Sequence, residues 1–172
     1  MRKVTGVLLA VALLAWAPAA LAQGSSSANI NAQAVVLNAV SVTAQSDLDF
    51  GNVIPGTNKA VAITSASAGR WIVQGSGGAE VGLSFPALPI SLSDGASNTL
   101  PLVFTPTDAA YNPVLNPGGA QTFDPSTGTS ANIGASPAEL YVWIGGTVVP
   151  APAQASGTYT GTITMQATYT GN

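Results

Sequence analysis

Apolar and polar residues alternate from Ala28 to Val36. Ile30, Ala32, Ala34 and Val36 fall on one side of an extended chain, and Asn29, Asn31, Gln33 and Val35 on the other. A period of two predicts a strand with one apolar face. A terminal strand of this kind completes its own sheet or a neighbour's, and the second outcome would make the protein a polymer subunit. The alternation is longest near the C-terminus. From Thr158 to Thr170, Tyr159, Gly161, Ile163, Met165, Ala167 and Tyr169 share one face, while threonines and Gln166 line the other. Shorter runs predict strands at 39–43, 60–64, 70–74, 81–85, 90–92, 100–104 and 140–144. In the last, Leu140, Val142 and Ile144 oppose Tyr141 and Trp143. Gly and Pro punctuate the chain between these runs, and no segment of helical apolar spacing interrupts them. The pattern predicts an all-β sandwich or barrel, in one domain over 39–172. Residues 105–137, rich in Pro, Gly, Ser and Asn, read as a long irregular excursion with at most one weak strand.

The start of the chain has a different pattern. Arg2 and Lys3 precede an apolar run from Val7 to Trp16, and Ala20 to Ala22 form a small-x-small site. This predicts a signal peptide over 1–22, cleaved before Gln23. The run is shorter than the ~20 residues a membrane span needs. The expected product is exported, with 23–38 as an N-terminal extension. Removing the leader leaves Lys59 and Arg70 against seven acids, a net charge of −5. Such a chain has no basic patch for nucleic acid or anionic lipid. Its polar surface is Thr, Ser, Asn, Gln and Gly, which suits a protein that meets copies of itself. Cysteine and histidine are absent. That excludes disulfides, thiol chemistry, Cys/His zinc sites and Ser-His triads.

No residue pattern specifies catalysis, a cofactor or a metal. Asp47 and Asp49 would share a strand face, but no third acid lies near and the spacing is not that of a calcium loop. Glu80 and Glu139 are isolated, so the two placed carboxylates of a glycosidase are missing. Gly75 to Gly78 lack the lysine and helix start of a phosphate cradle and read as an inter-strand loop. Trp71, Tyr141 and Trp143 form a sugar-binding surface in one reading and core packing in the other, which is preferred.

Asp47 to Gly51, Ile54-Pro55-Gly56, Gly145-Gly146 and Gly157 to Gly161, followed by the alternating end, occur in this order. The set resembles the domain of unknown function 4402 family of bacterial surface proteins. The same ending is similar to spore coat protein U-like pilins of chaperone–usher systems. The resemblance implies an immunoglobulin-like sandwich that can lack a strand. It also implies donor-strand exchange, in which the N-terminal extension of one subunit fills the groove of the next. Ile30, Ala32, Ala34 and Val36 are the residues placed to do this. The expected function is therefore a secreted structural subunit of a pilus, fibre or surface coat, with itself as partner and a periplasmic chaperone and outer-membrane usher as further implied partners. The alternative is a self-complemented adhesion module binding glycans through Trp71, Tyr141 and Trp143. An exported hydrolase is a distant third.

Overall fold

The structure is a computed structural model and describes residues 25–171. The expected leader at 1–22 lies outside the described residues. Residues 25–35 form one unit and residues from 36 onward another. The first unit carries no strand, and its residues are exposed.

The second unit is all-β, as the alternation predicts. Its strands are β1 (Ser41–Ser46), β2 (Lys59–Val61), β3 (Gly69–Gln74), β4 (Glu80–Ala87), β5 (Ser91–Ser93), β6 (Thr99–Val103), β7 (Ala109–Asn112), β8 (Gln121–Phe123), β9 (Thr129–Asn132), β10 (Glu139–Ile144), β11 (Gly146–Val148) and β12 (Thr164–Tyr169). They form three antiparallel sheets, ordered β1-β3-β10-β7-β8, β2-β11-β6-β5 and β12-β4-β9. The first and third face each other as a sandwich. Alternate residues of β10 (Leu140, Val142, Ile144) and Val73 meet Val81, Leu83 and Phe85 of β4 and Met165 and Ala167 of β12 in one apolar cluster. Phe85 stacks on Phe123 at 6.2 Å and takes the edge of Trp71 at 5.8 Å. A second cluster, of Phe50, Val61, Ala68, Leu100, Leu102 and Val148, lies under the small second sheet. The two clusters are linked by β10 and β11, one run of chain that passes between sheets at Gly145. A Cβ there would collide with the Val61 carbonyl oxygen, so only glycine allows the passage.

Three departures from the sequence pattern have physical causes. The stretch 105–137 holds β7, β8 and β9, not one weak strand. Its buried strand residues are mostly alanines, Ala109 and Ala131 in the sandwich cluster and Ala110 on the other face beside Trp143, too small to register as an apolar alternation. The three-residue β11 follows Gly145 directly and has no period of its own to read. The C-terminal alternation forms a regular ladder only over β12. Upstream, Thr160 makes a single bridge to Ser93.

Candidate functional site

The upstream half of the C-terminal alternation stands apart from the β4 ladder and forms one rim of a groove. Thr160 and Ser93 exchange both backbone hydrogen bonds at 2.8 Å. Gly161 then passes so close to Leu92 that a Cβ would lie 2.8 Å from Leu92 Cδ2. Tyr159 secures the approach: its hydroxyl donates to the Ala155 carbonyl at 2.8 Å and accepts from Gln154 Nε2 at 2.8 Å. The Gly-x-Tyr-x-Gly motif is thus a device that bends 155–161 over the second sheet.

The opposite rim follows β1. A bulge between Ala44 and Ser46 ends the regular pairing with β3. The chain then turns through Asp49, whose carboxylate accepts the Gly51 N–H at 2.7 Å, with Gly51 at φ 56°. Asp49 N–H bonds the Ser67 carbonyl at 2.9 Å, so this rim attaches to a loop instead of a strand. Between the rims lies a groove of about 1100 Å³. Trp71 and Ile163 enter it from the margin of the sandwich cluster, and Leu48, Phe50, Leu92, Leu100 and Leu102 from the second cluster. The groove is therefore where the apolar interior is open, between its two halves. Asp47 and Asp49 also line it, both exposed.

The aromatic residues singled out from sequence are not brought together. Trp71 pairs across strands with Val142 and faces Phe85, whereas Tyr141 and Trp143 project from the opposite face of the sheet. The latter two stack at 6.1 Å. Trp143 is only 3% exposed. Tyr141 donates to Glu139 at 2.7 Å, and Glu139 also accepts from Gln74 at 3.1 Å. The bond to Glu139 pushes the Tyr141 phenol above its ordinary value, with desolvation and the Glu139 charge adding and Arg70 opposing.

Ile30 and Val36 are both 93% exposed, and Ala32 and Ala34 are exposed as well. No strand is formed over 25–40. The sequence did not indicate how the domain holds the root of this segment. The Tyr169 hydroxyl donates to the Asn38 carbonyl at 2.9 Å and accepts from Ser76 N–H at 2.7 Å, and Asn38 N–H donates to Ser76 Oγ at 2.7 Å. Both backbone groups of Asn38 are thereby fixed. The inward-facing Tyr169 at the end of the alternation is the only sequence signal for this clamp.

Among the described residues, no helix is long and apolar enough to cross a membrane. No curated protein and no solved structure matches the chain. One family model does, over residues 40–169, which include both rims of the groove and the clamp residues Ser76 and Tyr169. The chain belongs to the family described as a domain of unknown function, DUF4402.

Proposed function

We propose that the protein is a structural subunit of an extracellular pilus, fibre or surface coat, in which Ile30 to Val36 of one copy fills the groove of the next. The observation that carries this reading is the groove between the two core clusters, where apolar side chains of both reach a partly polar lining, found in the same chain as an exposed apolar arm. An inserted strand would join the clusters and pair with the free edge of β1. Ile30 and Val36 would each contribute about 1.5–3 kcal/mol on burial. A contact of this head-to-tail kind need not close into a ring, and it then propagates as a fibre.

The clamp at Asn38 favours exchange over self-complementation. Folding the arm back onto its own groove needs a reversal just before β1. Both backbone groups of Asn38 are held there, which opposes such a reversal. An export route through the periplasm, with a chaperone shielding the groove, follows from the leader and the open core as part of the same proposal.

Size-exclusion chromatography and negative-stain microscopy of the secreted chain test it. Polymers that survive mild denaturant are expected. A uniform monomer with the arm paired in its own sheet would overturn the proposal.

A further inference from the structure

We propose that a second, smaller pocket on the outer face of the five-stranded sheet binds a carboxylate carried on a pyranose-sized body, a sugar acid, through Arg70. The pocket is separate in its chemistry from the apolar groove and does not depend on the assembly reading. Arg70 lies on β3 directly opposite Trp143 of β10 and opposite Ser46 of β1. Around it is a cavity of about 250 Å³, lined also by Trp143, Leu115, Pro117, Thr64 and Ser65. The size is slightly below that of drug-sized ligand sites, which begin near ~300 Å³.

Among the described residues Arg70 is seen to act electrostatically on Tyr141 of the neighbouring strand. Its Nε is buried and has no hydrogen-bond partner among the described residues. Glu139, the acid on the same two strands, sits at the far end of the pairing and is engaged by Gln74 and Tyr141. Lys59, the other cation of the expected mature chain, is tied to the Asn52 carbonyl at 2.8 Å. Burial of Nε restrains the guanidinium by packing, and the proposal assigns its terminal nitrogens to the ligand. A planar guanidinium matches a carboxylate by two parallel hydrogen bonds, which neither a hydroxyl nor a neutral amide can reproduce. Thr64 and Ser65 supply hydroxyl groups suited to a polyol. Leu115, 53% exposed, offers an apolar wall for a ring face. The net negative charge of the molecule disfavours anions in general, so affinity rests on this one contact and is on the order of millimolar.

The test is an NMR titration of the chain without its leader, following the Trp143 indole, with D-glucuronate, an oligogalacturonate and D-glucose as probes. Both acids are expected to shift the Trp143 signal saturably and glucose not to. The acid that binds more tightly shows whether the site takes a free sugar acid or a polysaccharide residue. Arg70→Gln should weaken binding about tenfold or more, with Arg70→Lys intermediate because it keeps the charge and loses the fork. Thermal melts of both variants establish that they fold. Should Arg70→Gln fail to fold, Leu115→Ser serves instead and should weaken binding while leaving the melt unchanged. Equal shifts with glucose and glucuronate, no shift with either acid, or full binding by folded Arg70→Gln would each overturn the proposal.

Discussion

At the scale of single residues, close approach and burial decide what each position tolerates. Gly145 sits where a Cβ would strike a backbone carbonyl, which cannot swing aside as a side-chain tip can. Gly145→Ala is expected to cost about 1–3 kcal/mol, read from the midpoint of a urea melt. Leu140 is fully buried at the centre of the sandwich cluster. Leu140→Ala should cost about 2–5 kcal/mol in the same measurement, because a close-packed cluster cannot collapse fully into the space. A loss below ~1 kcal/mol would mean that this cluster is not the main core. Tyr169→Phe deletes one hydroxyl that serves both Asn38 and Ser76. The expected loss is about 1–3 kcal/mol, since partners stay behind unsatisfied. The variant should also form fewer polymers and more self-complemented monomer, seen by size-exclusion chromatography. Unchanged assembly would remove the clamp from the argument for exchange.

At the scale of elements, the arm and the groove can be tested against each other. Ile30→Asp with Val36→Asp places charge where apolar burial is proposed, and the penalty for burying an unpaired carboxylate far exceeds the attraction of the remaining alanines. The double variant should remain folded and monomeric, with polymer lost on native gels. Polymerisation at the parental level would exclude the arm as donor. Legibility differed sharply between elements. β3, β4, β10 and β12 could be read because their inward residues are large and alternate strictly: Trp71 and Val73, Val81 to Phe85, Leu140 to Ile144, and Met165 and Ala167. β7 and β9 could not, because Ala109, Ala110 and Ala131 carry almost no apolar signal while packing as tightly as any leucine. The groove was half legible. The Gly157 to Gly161 motif was visible, but its bend follows from Tyr159 reaching Ala155 and from Gly161 meeting Leu92. Neither contact has a signature in spacing.

At the scale of the whole molecule, three groups, Asp94, Asp124 and Tyr141, tie stability to pH. Asp94 accepts from the Asn98 side chain and the Ala96 N–H, and Asp124 from the Ser126 hydroxyl and N–H; each carboxyl is held below its ordinary value. Their contribution is present above the ordinary carboxylate range and is lost as pH falls through the lowered folded-state values. Tyr141 is shifted the other way. Its contribution is complete below the ordinary phenol value and is lost as pH rises through the raised folded-state value. Urea midpoints against pH should therefore form a plateau with a decline at each end. Asp94→Asn with Asp124→Asn should flatten the acid limb alone, and Tyr141→Phe the alkaline limb alone. An acid limb unchanged in the double variant would assign acid sensitivity to other groups. All these side chains are at or near the surface, so each effect is small.

The sequence by itself determined the all-β class, because strict alternation of large apolar residues with threonine admits one period. It also determined the exclusion of thiol and histidine chemistry, which follows from composition alone. Only the tertiary structure decided where the interior stays open, since that depends on where side chains of the two core clusters meet beside the end of β1. The same holds for the separation of Trp71 from Tyr141 and Trp143 onto opposite faces of one sheet, for the Asn38 clamp, and for the Arg70 Nε buried without a partner among the described residues. Each depends on residues distant in the chain meeting in space, and a local pattern carries no record of such meetings.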